Sequence, residues 1–164
     1  MGFSLSEEDY LKAIFSLFYE HQEAISTSKL AKGLSTKASS VTEMIQKLAD
    51  KELVTYQKYH GVLLTDKGKT QALKIIRKHR LWEYFLVETL DFKWDEVHDI
   101  AEQLEHIESD KLVDKLDVHL GHPKFDPHGD PIPDKEGNLE DQDKFLLVDA
   151  DMDKELTIVG VKDS

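Results

Sequence analysis

The chain has 164 residues, of which 40% are hydrophobic and 33% charged, and its formal net charge at pH 7 is −12. This length allows one ordinary domain or two small packed units, and the composition is typical of a folded, soluble protein. The sequence contains neither an apolar run of the roughly 20 residues that span a bilayer nor an N-terminal signal pattern, so we expect a cytoplasmic protein. Without cysteine, a metal site must use oxygen and imidazole nitrogen.

The first half of the chain has the pattern of three helices followed by a β-hairpin. Serines and acids favour a helix start, and apolar residues then recur at helical spacing between polar breaks, including a polar turn over residues 35–40. The predicted segments are a helix from near Ser6, a helix over 29–34, a helix from Val41 to about Asp50, and strands Leu53–Tyr59 and Val62–Thr65. This order is typical of a winged helix-turn-helix.

Helical periodicity continues in the second half and then gives way to a loop. The predicted helices span about Thr70 to Thr89, Trp94 to Ile107 and Asp110 to Leu120. All four prolines lie between His122 and Asn138, which predicts an ordered loop there. Two apolar runs in the tail predict strands, which cannot form a stable sheet alone. We therefore expect a mainly α-helical protein that ends in a short β segment.

Charge is distributed unevenly between the two halves. Residues 1–75 contain ten lysines and nine acids, whereas residues 76–164 contain eleven basic and twenty-four acidic side chains. The near-neutral first part can approach DNA, and the acidic second part would repel it. Because phosphate contacts dominate DNA affinity, one such unit should bind weakly. The sequence therefore predicts a homodimer on a palindromic double-stranded operator.

The third predicted helix and the tip of the hairpin carry side chains suited to DNA. Hydroxyl and amide groups can bond to base edges in the major groove, and lysines can contact phosphates. The candidate DNA-binding residues are Lys37, Ser39, Ser40, Thr42, Glu43, Gln46 and Lys47 on the helix, and Lys58, Tyr59 and His60 at the tip. Three-helix units of this kind also serve in protein docking, so that alternative stays open.

Six side chains of metal-ligand type lie on two successive predicted helices. His79 and Glu83 are four residues apart, so they face the same side of their helix. The next helix places four more within about 100° of one another, namely His98, Glu102, Glu105 and His106. Imidazole and carboxylate ligands without sulfur suit Mn²⁺, Fe²⁺, Co²⁺ or Zn²⁺, and the oxygen-rich set favours Mn²⁺ or Fe²⁺.

A metal-dependent enzyme or a metal-buffering protein would also need such ions. In that alternative the winged helix would serve only for protein docking. However, the sequence contains no His-Glu-x-x-His, no Gly-x-Ser-x-Gly and no glycine-rich phosphate loop. An enzyme is therefore the weaker interpretation.

Several stretches resemble the metal-dependent repressors typified by the diphtheria toxin repressor and the manganese transport regulator, over about residues 4–135. The most specific stretches are Ser6-Glu-Glu-Asp-Tyr-Leu-Lys-Ala-Ile, Ser39-Ser-Val-Thr-Glu-Met-Ile-Gln-Lys-Leu, Leu64-Thr-Asp-Lys-Gly, Arg77-Lys-His-Arg-Leu-Trp-Glu-Tyr-Phe-Leu, and the segment from Val97-His through Glu105-His-Ile-Glu-Ser-Asp. Pro127-His-Gly-Asp-Pro-Ile-Pro extends the match. The resemblance implies a winged-helix DNA-binding domain over 1–73 and a helical metal-binding and dimerisation domain over 74–140. Residues 141–164 resemble the start of an SH3-like module, which we expect to be truncated.

The function implied by the resemblance is metal-activated repression of genes for metal-ion homeostasis, with metal bound at the interface between the two domains. Mn²⁺ is the expected activator and Fe²⁺ the second choice, while Zn²⁺ or Co²⁺ could substitute. Iron-sensing members place Met and Cys where this chain has Asp9 and Glu102, so its carboxylates match the manganese sensors. Lys12 stands where binuclear manganese regulators carry a glutamate, and its cationic side chain cannot serve as a ligand in their paired-metal arrangement.

The resemblance also divides the ligands between two metal sites. One site would use Asp9, Glu102, Glu105 and His106. The other would use His79, Glu83 and His98, with Asp126 and His128 at positions where streptococcal-type manganese repressors place further ligands. On this hypothesis, metal joins the first helix to the helix that carries Glu102, fixes the spacing of the two recognition helices in the dimer and so raises DNA affinity.

Overall fold

The computed structural model describes residues 2–57 and 60–140. Its elements are α1 (Leu5–His21), α2 (Thr27–Gly33), α3 (Ala38–Asp50), β1 (Val54–Gln57), β2 (Gly61–Leu64), α4 (Asp66–Leu90), α5 (His98–Leu104) and α6 (Asp110–His119). The chain divides into two units, of which the first extends to Ile76 and the second begins at Arg77. The candidates Lys58 and Tyr59 and the predicted module from residue 141 lie outside the described residues. Within the described ranges, no helix has the length and apolar character needed to cross a membrane.

Helix α1 begins with a capping box, which explains why it starts at Leu5, one residue before its predicted start. The Ser4 hydroxyl accepts the Glu7 N–H, and the Glu7 carboxylate accepts the Ser4 N–H at 2.8 Å. This reciprocal pair satisfies backbone donors that the first helical turn leaves open. Gln22 ends the helix in the left-handed conformation, with φ 55°. Ser26 then caps α2 by accepting the Lys29 N–H at 3.1 Å.

Helix α3 presents one buried face and one exposed face. It begins at Ala38, so Ala38–Ser40 form its first turn and do not belong to the predicted polar turn. Val41, Ile45 and Leu48 recur at helical spacing and are fully or almost fully buried. The other buried apolar side chains of the first unit include Tyr10, Leu11, Ile14, Phe15, Ile25, Leu30, Leu53, Val54 and Val62.

Strands β1 and β2 form an antiparallel hairpin whose register runs from Val54–Leu64 to Gln57–Gly61. Helix α4 follows directly and begins at Asp66, four residues before its predicted start near Thr70. The Thr65 hydroxyl accepts the Gly68 N–H at 3.0 Å and so caps this helix. A Cβ at Gly68 would lie 1.9 Å from the Leu53 carbonyl oxygen, so glycine is needed for close packing and does not mark a turn.

The second unit is built on the remainder of α4, together with α5, α6 and the loop that follows. Its core consists of Leu81, Val113, Leu116 and Ile132, against which Trp82, Phe85 and Leu120 pack. Helix α5 is shorter than predicted, because residues 94–96 form a turn before it. Asp91 is left-handed, with φ 56°, and Glu96 bonds through both its N–H and its carboxylate to the backbone of Lys93.

The loop after α6 is ordered by the helix beneath it, as the prolines predicted. Arg80 on α4 donates to the Pro131 carbonyl at 2.5 Å. Asp126 Oδ1 accepts the backbone N–H groups of His128 and Asp130, each at 2.9 Å. These bonds fix the loop conformation so that Asp126 and His128 are both buried.

Candidate metal centre and DNA-binding face

Three imidazole nitrogens converge on one carboxylate oxygen, Glu83 Oε1. The distances are 3.0 Å from His79 Nε2, 3.3 Å from His98 Nδ1 and 3.5 Å from His128 Nε2. Helix α4 supplies His79 and Glu83 one turn apart, α5 supplies His98 as its first residue, and the ordered loop supplies His128. Separate parts of the second unit thus bring the four side chains to one point.

The Glu83 carboxylate is ionised although its residue is only 2% exposed. Burial raises its pKa, but hydrogen bonds from His79 and His98 and the charges of His79 and His128 lower the pKa to about 2. The same hydrogen bond raises the pKa of His98 above its usual value. A buried carboxylate of this kind requires positive charge nearby, which imidazolium protons or a metal cation can supply.

Glu105 orients the His79 ring from its other side. It follows the last residue of α5 in helical conformation, is 0% exposed, and its Oε2 lies 2.5 Å from His79 Nδ1. Metal-binding histidines commonly donate their second ring N–H to a carboxylate, which fixes the ring orientation. With Nδ1 bound to Glu105, Nε2 faces Glu83. The resemblance assigned Glu105 and His79 to different sites, and the structure places them in direct contact.

Asp126 and His128 extend the cluster from the loop. Burial raises the pKa of Asp126 to about 6, and the Arg80 Nε lies 3.5 Å from its Oδ2. Both ring nitrogens of His128 are buried and make no hydrogen bond with any residue in 2–57 or 60–140. The Trp94 ring contacts the His128 ring edge-on, with the centroids 5.8 Å apart. A buried imidazole without a hydrogen bond is costly unless another ligand uses its lone pair.

These residues fit a divalent cation. Ligand atoms of His79, Glu83 and His98 all lie within 4.8 Å of one another, and the buried His128 nitrogen adjoins the same oxygen. Imidazole with carboxylate is a donor set that binds Mn²⁺, Fe²⁺, Co²⁺ and Zn²⁺. That these four residues bind a metal remains a prediction. The same holds for Asp126 and for the residues of the other predicted site.

The remaining predicted ligands lie on the following elements. Glu102 on α5 is exposed, and its Oε1 lies 3.5 Å from His98 Nε2. His106 is half-buried in the turn after α5. Asp9 is half-buried in α1 of the first unit.

The candidate DNA-binding residues of α3 form a continuous exposed surface. Lys37, at the N-cap, and the six helical candidates are all exposed, and so is His60 at the hairpin. Three of them already have partners in the protein. Thr42 donates to the Ala38 carbonyl, Gln46 donates to Asp50, and Lys47 Nζ lies 3.3 Å from Glu7 Oε1.

Sequence reasoning missed two residues that hold these surfaces in place. The pattern Ser4-x-x-Glu7 marks a capping box, but it does not show that Glu7 also binds Lys51, 44 residues away. Arg80 lies beside His79 in the sequence and bonds to the loop that carries Asp126. A basic residue directly after the predicted ligand His79 was the available signal for Arg80.

Two family models match the chain in succession. Residues 2–62 match the iron-dependent repressor N-terminal DNA-binding domain, and residues 65–134 match the iron-dependent repressor metal-binding and dimerisation domain. An uncharacterised HTH-type transcriptional regulator of Methanocaldococcus jannaschii is 39% identical over 117 residues, which are 71% of this chain and 94% of that protein. The chain belongs to the iron-dependent repressor family.

A further relative and a solved structure are also similar to the chain. The regulator MntR of Bacillus pumilus is 36% identical over 111 residues, which are 68% of this chain and 76% of MntR. A solved manganese-dependent transcriptional repressor in complex with manganese is 45% identical with a TM-score of 0.79, over 84% of this chain. This chain spans 63% of the length of that structure.

The comparisons confirm the predicted family and the mainly helical fold with a DNA-binding domain before a dimerisation domain. They also confirm the interpretation as a metal-dependent, DNA-binding transcriptional regulator and not an enzyme. The family therefore supports neither the metal-dependent enzyme nor the metal buffer that the sequence left open.

Proposed function

We propose that this chain is a manganese-activated repressor of genes for metal-ion homeostasis, and that it works in the cytoplasm as a homodimer on a palindromic operator. The observation that carries this proposal is the convergence of three imidazoles on Glu83 in a chain whose α3 exposes a polar face. The 45% identity to a solved manganese-dependent repressor in complex with manganese supports manganese over iron. Carboxylates at Asp9 and Glu102 agree with a preference for a harder ion.

His79, Glu83 and His98 would hold one metal, with His128 and Asp126 as further candidate ligands. Asp9, Glu102, Glu105 and His106 would form the other site, an assignment that rests on the resemblance. A bound divalent cation would neutralise the buried carboxylates. Without metal, protons on the neighbouring imidazoles supply this positive charge. Glu105 orients His79, and Arg80 holds the loop that carries Asp126. We place the domain boundaries near residues 73 and 140.

In the DNA-bound dimer, α3 of each protomer would enter the major groove. Ser39, Ser40 and Glu43 would face base edges, while Lys37 and His60 would contact the backbone. Metal activation requires only that the DNA-competent arrangement binds the ion more tightly than the alternative does.

The test is a DNA-binding titration. Duplexes are selected from a random pool with the Mn²⁺-loaded protein, and their affinity is then measured by fluorescence anisotropy with Mn²⁺ and after chelation. We expect recovered sites with two-fold symmetry and a gain of about 5- to 150-fold with Mn²⁺, the usual range of allosteric coupling. Equal affinity with and without Mn²⁺ would rule out activation by this ion. Stronger activation by Fe²⁺ under anaerobic conditions would instead reassign the metal.

A further inference from the structure

A buried carboxylate joins the start of α1 to the end of α3 in the first unit. Glu7 is 1% exposed, and its Oε1 accepts a hydrogen bond from Lys51 Nζ at 2.5 Å. The same oxygen lies 3.3 Å from Lys47 Nζ. Its Oε2 accepts the Ser4 N–H in the capping box. One side chain thus connects the first turn of one helix to the last turn of another.

This ion cluster fixes the relative position of the two helix ends. A buried charge is tolerated only when it is paired, and loss of one partner is strongly destabilising for the charges that remain. Here a single carboxylate faces two ammonium groups, so its loss would leave Lys47 and Lys51 close together without their counter-charge. Lys51 is fixed further by donation from Lys67 Nζ to its carbonyl and by its position 5.5 Å from the Phe3 ring.

The two ends that Glu7 connects differ in their proposed roles. Asp9, a proposed metal ligand, lies two residues after Glu7 in the same helical segment. Lys47 belongs to the exposed face of α3 that is proposed to bind DNA. A movement of this turn toward or away from a metal would therefore be passed to α3 through the Glu7 carboxylate. The same carboxylate holds an α3 lysine that could otherwise attract phosphates regardless of metal.

We propose that Glu7 is the positioning residue that makes the DNA affinity of α3 depend on metal binding at Asp9. This inference rests on the proposed function, since it assumes metal-dependent DNA binding. Without Glu7, Lys47 and Lys51 act as uncompensated cations in both states, and α3 is no longer held to the turn that carries Asp9. DNA binding should then be stronger without metal and less responsive to it.

The test compares Glu7→Gln with the wild-type full chain, by anisotropy on a selected duplex with Mn²⁺ and after chelation. We expect the metal-free affinity of the variant to equal or exceed that of the wild type. The ratio of the DNA affinity with Mn²⁺ to the DNA affinity after chelation should fall by at least about fivefold. A fall of this size corresponds to the loss of a typical allosteric coupling. A purely structural role would not produce this change, because it would weaken binding in both conditions by the same factor.

Glu23→Gln is the matched control. It makes the same charge change in the same unit, next to Lys29 Nζ at 2.8 Å, but on an exposed side chain. Its affinity ratio should equal that of the wild type. A ratio that falls equally in both variants would attribute the effect to net charge and overturn the role of Glu7.

Lys51→Met provides a second route if Glu7→Gln does not fold, as judged by circular dichroism. It removes the 2.5 Å hydrogen bond but keeps an apolar stem at a half-buried position. We expect the affinity ratio to fall here too, and an unchanged ratio would overturn the proposal. A wild-type protein that shows no response to any divalent metal would refute the proposed function itself, a result that the wild-type titration alone reveals.

Discussion

The two units each bury a glutamate, and they neutralise it by different chemistry. Glu7 in the first unit is 1% exposed and faces lysine ammonium groups. Glu83 in the second is 2% exposed and faces imidazoles. A lysine beside a carboxylate keeps its charge throughout the neutral range, whereas a histidine exchanges its proton near neutral pH and can bind a metal instead. The first cluster is therefore a permanent connection, and the second can accept a cation.

The largest expected effect comes from the carboxylate at the centre of the second cluster. Glu83→Gln keeps the shape of the side chain but removes the anion toward which three imidazoles point. We expect Mn²⁺ affinity at this site to fall by about 100-fold or more, since even supporting residues of metal sites contribute 10- to 100-fold. Isothermal titration calorimetry on the metal-free protein measures the loss.

Glu88→Gln is the control for that measurement, because Glu88 is an exposed acid on the same helix. Its Mn²⁺ affinity should match that of the wild type within about twofold, as expected for a charge screened by solvent. Unchanged affinity in Glu83→Gln would mean that the imidazole cluster is only a hydrogen-bonded part of the fold.

The sequence could predict only part of the cluster around Glu83 and none of the contact between Glu7 and Lys51. The spacing of His79 and Glu83 indicated a shared helical face, and the structure brings them within 3.0 Å of each other. Asp126 and His128 come from a loop, where no periodicity relates a residue to its neighbours in space, so only the resemblance suggested them. The Glu7–Lys51 contact depends on how α1 packs against α3, which local pattern does not encode.

The errors in predicted helix boundaries have a similar origin. The predicted helix begins only after Gly68, near Thr70, and glycine disfavours helices, yet close packing against the Leu53 carbonyl needs Gly68 inside α4. In α5, the predicted start at Trp94 gave way to turns stabilised by Glu96, and the helix begins at His98. Local propensity was overridden by tertiary packing in the first case and by a side-chain bond in the second.

The next largest effect tests whether His128 completes the second cluster. His128→Gln should lower Mn²⁺ affinity by about 10-fold or more, since supporting residues of metal sites contribute 10- to 100-fold. In the metal-free protein the substitution should change the free energy of unfolding little. It removes the charge of His128 beside Glu83, but it also removes a buried imidazole whose ring nitrogens make no hydrogen bond among the described residues. Chemical denaturation with and without Mn²⁺ measures both quantities.

His122→Gln is the matched control, because its imidazole is exposed and lies 3.1 Å from Asp117, away from Glu83. It should change neither Mn²⁺ affinity nor stability by more than about 0.5 kcal/mol, as is usual for surface substitutions. Loss of stability in metal-free His128→Gln, with Mn²⁺ affinity retained, would instead identify His128 as a packing residue.

The smallest effect separates the two clusters by their response to pH without metal. The pKa of His98 is raised by its hydrogen bond to Glu83, so its stabilising contribution is complete below the unfolded value of 6.5 and is lost as the pH rises through the folded value. The pKa of Glu7 is about 2, because hydrogen bonds from Lys51, Ser4 and Lys47 outweigh the effect of burial. Its contribution is complete above the unfolded value of 4.5 and is lost only as the pH falls toward 2.

Urea denaturation of metal-free protein between pH 5 and pH 9 tests this difference. The stability lost in Glu7→Gln should stay constant over that range, because both lysines and the carboxylate keep their charges. The stability lost in Glu83→Gln should shrink as the pH rises, by less than about 1 kcal/mol, since His98 is half-exposed and solvent screens its charge. If both losses followed the same pH dependence, the distinction between a permanent and an exchangeable counter-charge would not hold, and the second cluster would be as fixed as the first.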